Sequence, residues 1–182
     1  MLIATHERPV DRRHNVLQGE YEVSRDPQVT LTTVLGSCIA CCLFDPVSGI
    51  GGMNHFLLPM PPEHGRGLAD ETKRYGLYAM EILVNAMLKR GATRPTMRAH
   101  LYGGANLHAG MRAIGTDNAN FARGFLRADA IMLVKEVTGG TLARRLDLQP
   151  ATGRVRCRQI AAGFSEPARA PVPALSGEVE LF

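Results

Sequence analysis

There is no tryptophan among the 182 residues, and aromatic side chains make up only 5% of them. Surfaces that bind nucleic acid usually interleave clustered basic residues with stacking rings. Here the net charge is +4 and the arginines are scattered, apart from Arg154, Arg156 and Arg158, so nucleic acid is not an expected partner. No apolar run approaches the roughly 20 residues that a membrane helix needs, and no membrane insertion is expected. The opening Met1-Leu2-Ile3-Ala4-Thr5-His6-Glu7-Arg8-Pro9 holds too short an apolar stretch for a signal peptide, which points to a cytoplasmic chain. Cysteine is sparse too. The four present, two of them adjacent at Cys41-Cys42, read as reduced thiols and not as a disulfide framework.

What is present is an ordinary globular composition, 45% hydrophobic and 21% charged. A core of that size forms without disulfides or metal. Residues 1–19 are polar and aperiodic and are expected to form a loose N-terminal arm. Residues 161–182, with Pro167, Pro171 and Pro173 among alanines, are expected to form a mobile tail. A single domain is expected over residues 20–160. Within it, Tyr21–Ser24, Val29–Val34, the unbroken apolar run Ile39–Phe44 and Ile50–Leu58 read as strands, the last stopped by Pro59, Pro61 and Pro62. Glu71–Arg90 reads as a helix capped by Asp70 and followed by Gly91, with Tyr75, Ala79, Ile82, Leu83 and Ala86 on its core stripe. Met97–Tyr102, Ile131–Val137, Leu142–Leu148 and Arg154–Gln159 read as further strands, and Asp117–Arg127 as a second helix. The mixed order predicts an α+β fold with antiparallel pairs.

The stretch Thr32-Thr33-Val34-Leu35-Gly36-Ser37-Cys38 and the hairpin leading to His55 carry the chemical signal. If Pro46-Val47 are the central loop residues, Cys38 falls directly opposite His55, with Cβ atoms about 4.5–5.5 Å apart. A loop two residues longer leaves the pair diagonal on one face; an odd shift puts them on opposite faces. A free thiol has a pKa near 8.5, so a neighbouring imidazole is what populates the thiolate and later protonates a leaving group. Gly36-Ser37 breaks the strand ahead of Cys38, and the backbone N–H groups of Ser37 and Cys38 are candidate oxyanion donors. Taken singly, Cys38 and His55 are ordinary packing residues, a reading that also suits Cys41, Cys42 and Cys157. A metal site on Cys38, Cys41 and Cys42 with His55 or His64 is disfavoured: Cys38 and Cys42 share a face but lie about 13 Å apart along a strand. Ser37 lacks the G-x-S-x-G surroundings of a nucleophilic serine. Gly103-Gly104 reads as a plain turn or a pocket wall. His6, His14, His64, His100 and His108 have no partner at a telling spacing.

Gly36-Ser37-Cys38, Asp45-Pro46 and Gly51-Gly52-Met53-Asn54-His55-Phe56-Leu57-Leu58-Pro59 together resemble the signature of the chemoreceptor glutamine deamidases, the CheD family. The resemblance continues through Arg74-Tyr75-Gly76, Ala79-Met80-Glu81, Leu101-Tyr102-Gly103-Gly104-Ala105, Ile114-Gly115, Asn118, Gly139-Gly140 and Thr152-Gly153-Arg154, and so spans the whole domain. It implies a Cys-His-Thr triad: Cys38 as nucleophile, His55 as general base, and Thr32, with Thr33 beside it, as third member. It also implies mixed β-sheets packed face to face with flanking helices, similar to the catalytic domain of the cytotoxic necrotizing factors. The implied activity converts chemoreceptor glutamines to glutamate through a Cys thioester, with methylesterase activity as a chemically related side reaction. No cofactor is implied. The implied partners are the cytoplasmic helices of methyl-accepting chemoreceptors and the CheC phosphatase. The rival reading is a non-catalytic chemotaxis adaptor that binds receptor or CheC.

Overall fold

A computed structural model describes residues 12–58, 68–107 and 113–160, the stretch 68–74 by its backbone alone. The expected tail, the three prolines at 59, 61 and 62, and His6, His64 and His108 lie outside the described residues.

The elements run β1 (Arg12–Asn15), β2 (Tyr21–Ser24), β3 (Val29–Leu35), β4 (Ile39–Asp45), β5 (Ile50–Asn54), α1 (Leu68–Lys89), β6 (Arg98–Gly103), α2 (Ile114–Ala128), β7 (Met132–Thr138), β8 (Arg144–Gln149) and β9 (Arg154–Gln159). One sheet has the order β1-β3-β8-β9 and the other β2-β5-β4-β6-β7. Both mix pairings: β1 runs parallel to β3 and β6 parallel to β7, while the remaining neighbours are antiparallel. The α+β expectation holds, with the two parallel pairs added to it.

Strand β4 shows why the layers stack as they do. Successive side chains on a strand point to opposite faces, so an unbroken apolar run needs cover on both. Ile39, Cys41 and Leu43 pack with Leu83, Val84 and Met87 of α1 and Ala119, Ala122 and Leu126 of α2. Cys38, at the foot of β4, Ala40 and Cys42 face Leu31, Leu35, Leu146 and Leu148 of the other sheet. The order is therefore helices, five-stranded sheet, four-stranded sheet. Each fully buried Leu or Phe contributes about 1.5–3 kcal/mol of transfer free energy.

Three details depart from the sequence reading. The N-terminal arm does not extend to residue 19, because Arg12–Asn15 pairs through its backbone with Val29–Thr32 and Val16 is 1% exposed. Asp70 lies inside α1, which starts two residues earlier at Leu68. The β5 ladder stops at Asn54, because the Asn54 side chain takes the place of a backbone partner: its Oδ1 accepts the Cys41 amide at 3.0 Å and its Nδ2 donates to the Ala79 carbonyl at 2.7 Å. Pairing returns in one bridge, Ile39 with Phe56.

Candidate active site

The β4–β5 hairpin sets the register of Cys38 and His55. Its loop is the longer of the two alternatives: Asp45 pairs with Ile50, which leaves Pro46–Gly49 as the connection. The Asp45 side chain shapes the loop, its Oδ1 accepting the amides of Val47 at 2.9 Å and Ser48 at 3.4 Å. Burial acts to raise the Asp45 carboxyl, but bonds from the Thr96 hydroxyl and the amides of Val47, Thr93 and Ser48 outweigh it and hold the group below its ordinary value. With this register Cys42 opposes Met53 and Ile39 opposes Phe56. Cys38 and His55 therefore lie diagonally on one face of the sheet, the side that looks toward β3.

The loop carrying Cys38 is anchored through three consecutive carbonyls. Gly36 O accepts the Ala105 amide at 2.9 Å, Ser37 O accepts Asn118 Nδ2 at 2.9 Å, and Cys38 O accepts the Gly104 amide at 2.7 Å. Asn118, fully buried on α2, also takes the Leu58 amide at 2.9 Å and so ties the chain after His55 to the chain before Cys38. Gly103 is no plain turn. Its φ is +106°, and a Cβ there would lie 2.2 Å from the Cys38 carbonyl oxygen, so only glycine lets this strand end approach the Cys38 loop.

The partners of His55 fix its tautomer. Nδ1 lies 2.9 Å from Thr33 Oγ1 and 3.3 Å from the Val16 carbonyl, while Thr33 Oγ1 donates to that same carbonyl at 2.8 Å. A carbonyl only accepts, and the Thr33 proton is already committed to it, so the proton between Nδ1 and its partners belongs to His55. Nε2 is then the basic nitrogen, the atom able to take a proton from a thiol.

The threonine that the resemblance matches as third member sits elsewhere. Thr33 shares the inter-sheet face of β3 with Leu31 and Leu35; Thr32, one residue away, points to the other side. Thr32 Oγ1 donates to Asp147 Oδ1 at 2.9 Å, in a cluster where Asp147 also meets Arg13 at 3.3 Å and Arg158 at 3.5 Å. The structure brings Cys38, His55 and Thr33 together and leaves Thr32 outside that group.

The remaining thiols are poor nucleophiles. Burial pushes Cys41 up to about 12, raises Cys42 well above its ordinary value, and raises Cys157. Cys38 is itself 0% exposed. Its cover includes Gln18, whose Oε1 lies 3.7 Å from the sulphur. A cavity of about 440 Å³ opens between β2 and α1, lined by Gly19, Tyr21, His55, Tyr75, Tyr78 and Ile82 among others. The local sequence around Leu17-Gln18-Gly19-Glu20 carried no signal of either role.

Comparison with known proteins bears on the chemistry. A family model described as "CheD chemotactic sensory transduction" matches residues 57–159. A curated relative from Caulobacter vibrioides is 50% identical over 175 residues, covering 92% of this chain and 92% of its own length. Another, from Zymomonas mobilis, is 49% identical over 171 residues, covering 94% and 93%. A third, from Agrobacterium fabrum, is 40% identical over 178 residues, covering 94% and 97%. All three are named "Probable chemoreceptor glutamine deamidase CheD". Cys38 and His55 lie before the family-model match, yet the spans shared with these relatives leave too little of the chain uncovered to omit them.

Proposed function

The chain belongs to the CheD family, and from that premise we propose that it hydrolyses chemoreceptor glutamine side chains to glutamate, with Cys38 as nucleophile and His55 as base. The observation that carries this reading is the network around the imidazole. Thr33 and the Val16 carbonyl hold the proton on Nδ1, so that Nε2, the nitrogen suited to act as base, belongs to a ring on the same sheet face as the thiol.

Chemically, Nε2 takes the Cys38 proton and the thiolate attacks the carboxamide carbon of the receptor glutamine. The oxyanion is held by the amides of Ser37 and Cys38, whose loop is fixed by its three anchored carbonyls. The imidazolium protonates departing ammonia, leaving a glutamyl thioester, and water deprotonated by the same nitrogen releases glutamate and the thiol. A glutamyl methyl ester would form the same thioester with loss of methanol. The third member of the triad is Thr33, which orients the ring and supplies no charge.

The test is ammonia release from a chemoreceptor cytoplasmic fragment, with receptor peptides followed for +1 Da at glutamine. Cys38→Ala and His55→Ala are expected to abolish both signals, and Cys41→Ala to retain them. Equal activity of the Cys38 and Cys41 variants would exclude this nucleophile. Tight receptor or CheC binding by a wild-type chain that releases no ammonia would establish the adaptor reading.

A further inference from the structure

The side chain over the thiol is a glutamine, the very residue type on which the proposed reaction acts. Its carboxamide oxygen is the atom that faces the sulphur, at 3.7 Å. Gln18 is carried by a turn that the protein holds firmly against the catalytic histidine. Gly19 N donates to the His55 carbonyl at 2.7 Å, His55 N donates to the Glu20 carbonyl at 3.0 Å, and Glu20 N closes the turn on the Leu17 carbonyl at 3.0 Å. Glu20 Oε2 also accepts the Leu17 amide at 2.9 Å. The backbone at residues 19 and 20 thus continues the pairing of β2 with β5, in which Tyr21 opposes Asn54, as far as His55. Backbone bonds to His55 on one side and a carboxamide oxygen set against the Cys38 sulphur on the other give this turn two features of a bound substrate.

We propose that Gln18 is an internal substrate mimic that occupies the carboxamide subsite of Cys38, and that a receptor glutamine enters by displacing the Leu17–Glu20 turn. This inference rests on the deamidase reading of the same site. Two observations make Gln18 a stopper and not a substrate. The contact runs through the carboxamide oxygen, so the thiol donates to it and its carbon is not presented for attack. Cys38 is also 0% exposed, so bulk solvent does not reach the sulphur while the turn stays in place. Gly19 and Glu20 line the same cavity as His55, which gives the turn, once its bonds are broken, space to move into. The incoming carboxamide would then take the position of the Gln18 side chain at the Cys38 sulphur.

The experiment is alkylation of the full-length chain by iodoacetamide, read at the Cys38 peptide by mass spectrometry, alongside steady-state ammonia release. Gln18→Ala is expected to alkylate Cys38 about fivefold faster than wild type, the worth of one net neutral hydrogen bond. It should lower KM for the receptor fragment by a similar factor, with kcat little changed. Gln18→Ser, too short to reach the sulphur, should match it, and Leu17→Ala, on an exposed side chain of the same turn, should behave as wild type. Equal alkylation of wild type and both Gln18 variants overturns the proposal, and so does a fall in kcat at saturating substrate. A +1 Da shift at Gln18 in wild type, absent in Cys38→Ala, overturns it as well by making Gln18 a substrate. If no variant releases ammonia while Gln18→Ala still alkylates faster, the deamidase reading has failed and the occupancy of the thiol site stands.

Discussion

Replacing each of two adjacent threonines by valine separates the two candidates for the third catalytic position. Valine keeps the shape of threonine and removes the hydroxyl, so packing changes little at either site. At Thr33 it deletes the acceptor at 2.9 Å from His55 Nδ1 and the donor at 2.8 Å to the Val16 carbonyl, leaving Nδ1 with the more distant Val16 carbonyl at 3.3 Å. One net neutral hydrogen bond is worth about 0.5–1.5 kcal/mol. If that alignment is lost in the transition state, kcat falls by about 2–12-fold. At Thr32 the deleted bond runs to the Asp147 carboxylate at 2.9 Å. A bond to a charged acceptor costs about 1.5–3 kcal/mol of stability. Arg13 and Arg158 remain on Asp147 to soften that loss, and the imidazole is untouched. Both variants are therefore expected to lose some Tm, but only Thr33→Val to lose turnover, with that of Thr32→Val intact. Ammonia release at saturating receptor fragment and thermal unfolding of the same preparations decide it. A folded Thr32→Val that is slower than Thr33→Val would refute the assignment.

Two other perturbations follow from the same geometry. Gly103→Ala places a methyl 2.2 Å from the Cys38 carbonyl oxygen at φ +106°, whereas Gly91→Ala meets open space at φ +101°. Both carry backbone strain of about 1–3 kcal/mol, but only the first should also abolish ammonia release; equal activity of the two would show that the Cys38 loop tolerates displacement. Asp45 has its carboxyl held below the ordinary value in the folded chain, so its ionised form stabilises the fold fully at neutral pH. That contribution starts to fall once pH drops below the ordinary Asp value of about 3.9, and it is gone below the folded value. The Tm gap between wild type and Asp45→Asn should be widest at neutral pH and narrow on acidification through that range; a constant gap would mean the carboxylate charge is not what holds the loop.

Apolar runs and turn residues located most strands to within a residue or two, because strands buried on one or both faces must carry that pattern. Arg12–Asn15 escaped because an edge strand of polar residues pairs through backbone alone and leaves no alternation to read. The shared face of Cys38 and His55 was legible from the hairpin, since both even loop lengths preserve it; the longer loop was chosen by the Asp45 side chain, which capping rules alone do not rank. Thr32 and Thr33 could not be separated by distance along the chain. The Gly36-Ser37 break uncouples the pleat of β3 from that of β4, so which threonine faces inward depends on Leu31 and Leu35 sharing a core with the other sheet. Gln18 was invisible for a different reason: its proximity to Cys38 is created wholly by the path of the chain between them.

Val16, next to the first strand, lends its carbonyl to both Thr33 and His55. The alignment of the His55 ring is thus borrowed from a piece of chain that lies upstream of both Cys38 and the hairpin. A chimera that transplanted only the segment from Cys38 to His55 onto a related scaffold would move the reacting atoms and leave their compass behind. Swapping the first twenty residues between relatives would, conversely, retune proton transfer without altering any group that meets the substrate's carbonyl carbon.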